Sequence, residues 1–152
     1  MTRLSQVDFI HNQLRLLQSR PAVMRRFESE YRTIADETKP VWIRHAAIWK
    51  LKSSLRPCFQ ELGLHVEQFR YEELVSKADK VIRTLLEACH LPASTQPKRS
   101  EAVYVGFGPG GTDRTRPLDM SSLSMWNGLL DASQQADVLD VAGNAAASFG
   151  YG

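Results

Sequence analysis

Apolar residues recur at helical spacing through most of the chain, and this periodicity constrains the fold more than any other feature. The first predicted helix carries Val7, Ile10, Leu14 and Leu17 on one face and ends near Gln18. Similar spacing returns in the middle of the chain and again at its C-terminal end. The pattern therefore predicts a chain that is mostly helical.

Prolines and glycines divide this helical pattern into separate segments. Pro21 suits the first turn of a second helix, because its missing N–H would have no partner there. Pro40 starts a third helix with two apolar stripes, so we expect that helix to be buried on more than one side. Pro57 predicts a break near Arg56, and Gly63 is a natural helix terminator.

One segment, LHVEQFRY at residues 64–71, predicts a β-strand. Its apolar positions change phase midway, which is typical of a bulged strand or of one buried on both faces. A helix is predicted directly after it, with Ser76 and Asp79 as a capping pair. The expected buried face of that helix consists of Ala78, Val81, Ile82, Leu85 and Cys89.

Residues 92–122 form a long segment rich in proline and glycine, and we expect a loop there. A final helix follows, with Asp131 and Gln134 as its capping box and Gly150 as its stop. Its predicted buried positions are Ala132, Ala136, Leu139, Ala142, Ala146 and Phe149.

Charge is unevenly distributed along the chain. Residues 1–56 hold eleven Lys and Arg against five Asp and Glu, whereas residues 57–152 hold eight against twelve. A basic N-terminal third suits an anionic ligand such as a phosphate or sulfate ester, and solvated faces of amphipathic helices are the alternative. The net charge of +2 says little by itself, and we expect no nucleic-acid partner.

The chain carries no recognisable targeting or membrane-spanning segment. No stretch approaches the ~18 apolar residues that a membrane span needs, and the N-terminus lacks a continuous apolar core typical of a signal peptide. Cys58 and Cys89 fit small core residues better than a disulfide or a metal pair. The default expectation is a cytoplasmic protein.

Residue patterns that carry chemistry are sparse. The glycines between Gly106 and Gly111 have the wrong spacing for a phosphate-binding loop, so a flexible loop is the better interpretation. The four histidines lie far apart without metal-binding spacing, and we predict no metal site. Glu72 and Glu73 could form an acid–base couple, although carboxylates that accept backbone N–H bonds at a turn are more common.

Three segments in order resemble the C-terminal portion of the sulfotransferase family. FRYEELVSKADKVIRTLLEACHLP is similar to the family's strand ending in R-Y-E-D-L and its following helix. HAAIWKLKSSLRPCFQELG resembles the preceding helix, and MWNGLLDASQQADVLDVAGNAAASFGYG resembles the family's ending. The resemblance implies an α/β fold related to the P-loop kinases, with residues 1–152 as a single partial domain.

The same resemblance implies transfer of a sulfuryl group from 3′-phosphoadenosine 5′-phosphosulfate to a hydroxyl acceptor, either a small molecule or a glycan. No metal is implied. Such chemistry depends on positioning and charge stabilisation, which need a strand, loop and helix around the phosphosulfate. Because no such element precedes the helices of this sequence, we expect the chain alone to be inactive.

Two basic regions could contact the donor nucleotide. LLQSRPAVMRRF is similar to the family's 3′-phosphate motif, although Gln18 replaces its strand-end Arg and Arg26 its Ser, which leaves Arg20 and Arg25 as candidates. Arg114 and Thr115 lie in the loop from which the family often closes over the nucleotide. No catalytic residue is identified.

Two other interpretations remain open. The helical majority, the doubly apolar third helix and the missing nucleotide loop suit a noncatalytic helical interaction module. Its exposed apolar surface would favour a homo-oligomer or a partner chain that covers the missing half. The chain could also be a truncated gene product without independent function.

Overall fold

The protein is described by a computed structural model that covers residues 6–92, 123 and 128–151. The described residues form eight helices. Their bounds are α1 Gln6–Gln18, α2 Pro21–Arg26, α3 Glu28–Ala35, α4 Val41–Ser53, α5 Arg56–Glu61, α6 Tyr71–Ser76, α7 Ala78–Ala88 and α8 Ala132–Ser148. Most of the predicted loop at 92–122 lies outside these residues.

The prediction of an α/β, P-loop-like fold is wrong. Residues 64–70 have no regular secondary structure, Tyr71 already begins α6, and no strand or sheet occurs among the described residues. The local sequence of 64–71 favours an extended chain, but a strand exists only when a neighbouring strand completes its hydrogen-bond ladder. The described part of the chain supplies no such neighbour.

The predicted helix boundaries that depend on proline and glycine are confirmed. Pro21 is the first residue of α2, Pro40 is the N-cap of α4, and α5 starts at Arg56 with Pro57 in its first turn. At Gly63, φ is +75°, a backbone conformation that favours glycine because it has no Cβ. Proline and glycine act on the backbone within a few residues, so the helix boundaries they predict do not depend on the tertiary structure.

The described residues divide into two compact units. The first contains α1 to α5 and α8, and the second contains α6 and α7, which pack against each other. The core of the first unit is aliphatic except for one phenylalanine. It consists of Ile10, Leu17, Phe27, Ile34, Ala47, Ile48 and Leu51.

Helix α4 organises the first unit, because it packs against α1, α3 and α8. Its buried residues point in more than one direction, as its two apolar stripes predict. Trp49 makes edge-on ring contacts with Phe149 and Tyr151, at centroid distances of 6.1 and 6.5 Å. These contacts pin the C-terminal end of the described chain to α4.

Helix α8 begins with the predicted capping box. Asp131 accepts a hydrogen bond from the Gln134 N–H at 2.8 Å, and Gln134 Oε1 accepts one from the Asp131 N–H at 3.0 Å. The predicted buried face is only partly right, because Leu139 is 63% exposed whereas Ala142 is buried. Ala132 and Ala136 are exposed as well, whereas Ala146 and Phe149 are half-buried, so the prediction holds only for the C-terminal half of the helix.

The predicted cap of α7 is wrong. Ser76 ends α6 and donates its hydroxyl to the Glu72 carbonyl at 2.6 Å, while Lys77 occupies the N-cap of α7. Serine can bond back to the carbonyl four residues earlier, and this competes with capping of the next helix. Of the expected buried face of α7, Val81 alone is fully buried and Leu85 is 37% exposed.

Candidate functional site

A cavity of about 240 Å³ opens beside the core of the first unit. Seven of its ten lining residues are aliphatic, and its floor includes the buried core residues Ile34, Ile48 and Leu51. Leu16, which is 61% exposed, forms part of the outer wall. The interior of the cavity therefore suits an apolar group.

Three polar side chains complete the lining, and two of them are cationic. These side chains are Arg20, Lys52 and Gln13, and no carboxylate lines the cavity. Arg20 and Lys52 are both exposed residues, so their charges are solvated at the edge of the cavity. Lys52 Nζ also lies 5.1 Å from the centroid of the Phe9 ring, a cation–π distance.

The size of the cavity limits what can enter it. A cavity of ~150 Å³ lined by aliphatic side chains holds a benzene molecule, whereas pockets for drug-sized ligands start at about 300 Å³. At about 240 Å³ the cavity can hold one ring or a medium-length alkyl chain. A nucleotide with its phosphates exceeds this space.

The two arginines predicted to contact a phosphate differ in their position relative to the cavity. Arg20 is the N-cap of α2 and lines the cavity, but Arg25 is an exposed residue in the last turn of α2 and does not line it. Arg114 and Thr115 lie outside the described residues. Donor binding by Arg20 and Arg25 stays a prediction.

Arg26 is engaged elsewhere, in a bidentate ion pair with Glu61. Its Nη1 and Nη2 donate to the Glu61 carboxylate at 2.6 and 2.9 Å. The Arg26 hydrogen bonds lower the pKa of Glu61, and the same hydrogen bonds raise the pKa of Arg26. Since both side chains are about half exposed, this pair contributes little to stability but fixes the orientation of both groups.

A buried arginine lies on α4 beside a histidine. Arg44 is 5% exposed and donates from Nε to the Ile34 carbonyl at 2.8 Å, which satisfies one carbonyl at the end of α3. Arg44 Nη2 and His45 Nε2 are buried without a hydrogen-bond partner among the described residues. The His45 ring packs against the Phe9 ring at a centroid distance of 5.5 Å.

The paired carboxylates after residue 70 have structural contacts. Glu73 accepts a hydrogen bond from the Arg70 N–H at 3.4 Å, and a Glu72 oxygen lies 3.8 Å from Arg70 Nε. Both glutamates belong to the first turn of α6, where negative charge is favourable. These contacts favour the turn interpretation over an acid–base couple.

Within the part of the chain that the structure describes, no three His, Cys, Asp or Glu side chains are grouped so that they could hold a metal ion. The same described residues contain no helix long and apolar enough to cross a membrane. Cys58 and Cys89 are free cysteines, and Cys89 is exposed rather than in the core.

Sequence reasoning identified Arg20 but missed Lys52 and the aliphatic floor of the cavity. A cavity forms where several helices fail to fill the space between them, and the spacing along one helix carries no record of it. The available signal was the position of Lys52 next to Leu51 at the edge of an apolar stripe of α4.

No protein-family model matches this chain, and neither the curated proteins nor the solved structures include a significant match. The resemblance to sulfotransferases therefore stays a prediction from three sequence segments.

Proposed function

We propose that this chain is a noncatalytic helical interaction module that self-associates through the C-terminal end of α5. The observation that carries this proposal is a cluster of exposed apolar side chains, here named the α5 tip. It consists of Phe59, Leu62 and Leu64, which are 42%, 75% and 54% exposed.

The backbone holds the α5 tip in one defined arrangement. The Leu64 N–H donates to the Phe59 carbonyl at 3.0 Å, and the Gly63 N–H donates to the Gln60 carbonyl at 2.9 Å. With Gly63 at positive φ, this is a Schellman motif, in which the chain turns back over the last helical turn. The tip is therefore preorganised, and little conformational entropy is lost when it is covered.

The free energy gained by covering the α5 tip determines how strong the contact can be. Complete burial of one leucine or phenylalanine side chain stabilises by about 1.5–3 kcal/mol, so covering the exposed part of Leu62 is worth ~1–2 kcal/mol. A single exposed leucine is ordinary on a protein surface, but here three exposed apolar side chains lie within six residues at one helix end. The burial energy of three such side chains supports a weak, reversible contact rather than an obligate interface.

Charge complementarity favours a second copy of this chain as the partner. Glu61 directly precedes Leu62, and its ion-pair partner Arg26 borders the same end of α5. In a two-fold symmetric contact the same patch meets itself, so the Arg26–Glu61 pair of one copy can lie antiparallel beside that of the other. The tip thus has an apolar centre and a self-complementary charged edge.

Sedimentation velocity of the purified chain across the micromolar range tests this proposal. We expect concentration-dependent dimers, and Leu62→Ser should weaken them at least about tenfold, because the substitution occurs twice in a symmetric contact. Leu139→Ser is the matched control, since Leu139 is exposed to a similar degree on α8. A monomer at all concentrations, or equal effects of both substitutions, would contradict the proposal.

A second candidate is a sulfotransferase relative that retains donor-nucleotide binding. It rests on the three sequence segments that resemble the family. The donor would be 3′-phosphoadenosine 5′-phosphosulfate, and the acceptor a hydroxyl of a small molecule or glycan. This candidate requires donor contacts from Arg20, Arg25, Arg114 or Thr115.

Calorimetry with 3′-phosphoadenosine 5′-phosphate separates the two candidates. Binding heat that disappears in Arg25→Ala or Arg114→Ala would support the sulfotransferase candidate, whereas no heat would exclude it for this chain. In either case we expect no sulfuryl transfer by the chain alone with a phenol or sugar acceptor. We propose the cytoplasm as its location, in keeping with two free cysteines.

A further inference from the structure

We propose that the cavity beside α1, α2 and α4 binds a small amphipathic monoanion, an alkyl chain that ends in one carboxylate or sulfonate group. This site is separate from the α5 tip, and it does not depend on self-association or on nucleotide binding. Its occupant follows from three features of the cavity: its size, its apolar interior and the charge at its edge.

The apolar interior would hold the alkyl chain. Ile34, Ile48 and Leu51 form a floor that is itself part of the core, so a chain lying on it would be removed from water. Each buried methylene is expected to strengthen binding about fourfold. The volume of about 240 Å³ exceeds the ~150 Å³ that encloses benzene, and it accommodates a medium-length chain but not a long one.

The two cations at the edge would hold the anionic head. Arg20 and Lys52 both line the cavity, and no acidic residue joins them. The guanidinium of Arg20 has no ion-pair partner among the described residues, so it can donate to an incoming carboxylate without breaking a pair. A neutral head would gain less, and a cationic head would be repelled.

Octanoate is the probe, used with the full chain below the concentration at which it forms micelles. We expect saturable binding by calorimetry, with chemical-shift changes in the cavity residues. Hexanoate should bind up to ~15-fold more weakly because it has two methylenes fewer. Octanol should bind several-fold more weakly than octanoate, and added salt should reduce that difference because both cations are solvated.

Two arginines of the same helix region provide a matched pair of variants. Arg20→Gln should weaken octanoate binding several-fold, whereas Arg25→Gln should leave it unchanged, because Arg25 does not line the cavity. Leu16→Glu places a negative charge on the exposed wall and should abolish binding without disturbing the core.

Three results would overturn the proposal: no saturable octanoate binding, equal affinities for octanoate and octanol at low salt, or equal effects of Arg20→Gln and Arg25→Gln. Binding to vesicles of anionic phospholipid without binding to free octanoate would also overturn it, since that result assigns the cations to a membrane surface. None of these outcomes affects the sedimentation test of the α5 tip.

Discussion

Replacing Gly63 by alanine is predicted to destabilise the first unit through the backbone alone. Gly63 has φ +75° at the end of α5, and a Cβ added there would meet no heavy atom within 4 Å. No steric clash therefore contributes. An alanine in the left-handed region costs about 1–2 kcal/mol, and the reduced freedom of the unfolded chain returns ~0.4–1 kcal/mol. The net loss is about 1 kcal/mol.

The same substitution at Gly143 is predicted to have the opposite sign. Gly143 lies inside α8, and an added Cβ would meet only Leu139 Cβ at 3.9 Å, an ordinary van der Waals contact. Alanine in a helix interior is favoured over glycine by ~0.8–1 kcal/mol. Gly143→Ala should therefore stabilise the protein by about as much as Gly63→Ala destabilises it.

Thermal denaturation followed by far-UV circular dichroism measures both effects. For a chain of this size, a change of 1 kcal/mol shifts the melting temperature by about 2–4 °C, so the two variants should differ by roughly 4–8 °C. The reasoning is refuted if both alanines shift stability in the same direction, or if Gly63→Ala is neutral while its fold is intact.

Three further predictions concern a helix end, a helix cap and an ion pair. His90 follows α7 with φ +55°, and its N–H donates to the Glu87 carbonyl at 3.0 Å, so it occupies a position that favours glycine. His90→Gly should therefore stabilise α7 by up to ~1 kcal/mol, whereas His90→Ala should not. Denaturation of both variants measures these effects. Asp131→Ala removes the capping box of α8 and should cost about 1 kcal/mol by the same assay. The Arg26 hydrogen bonds lower the pKa of Glu61, so any stability this pair contributes is present above the ordinary glutamate pKa and is lost as pH falls through the lower folded value. The stability difference between the native chain and Glu61→Gln should accordingly vanish in acid and shrink with salt, and an acid-insensitive difference would contradict this.

Features that depend on a few neighbouring residues could be predicted from the sequence. Pro21 and Pro57 lie in the first turns of their helices, and Gly63 and Gly150 adopt positive φ at helix ends. The cap formed by Asp131 is equally local. The backbone geometry of single residues and one side-chain hydrogen bond decide these features, and both depend on residues that are close together in the sequence.

Features that depend on distant parts of the chain could not be predicted from the sequence. The segment at 64–71 has strand-like residues, but pairing decides whether a strand forms, and the described chain provides none. Leu139 and Ala142 belong to one predicted apolar face, yet the packing of α8 on α4 buries Ala142 and leaves Leu139 exposed. Lys52 reaches the cavity edge only because several helices meet there.

Disulfide trapping tests the self-association proposal most directly. In a background with Cys58→Ala and Cys89→Ala, a single cysteine is introduced by Leu62→Cys or, as the control, by Leu139→Cys. A symmetric contact through the α5 tip brings the two copies of residue 62 together, so mild oxidation should give disulfide dimers with Leu62→Cys and few with Leu139→Cys. Equal yields from the two variants, or dimers from Leu139→Cys alone, would contradict the proposed interface.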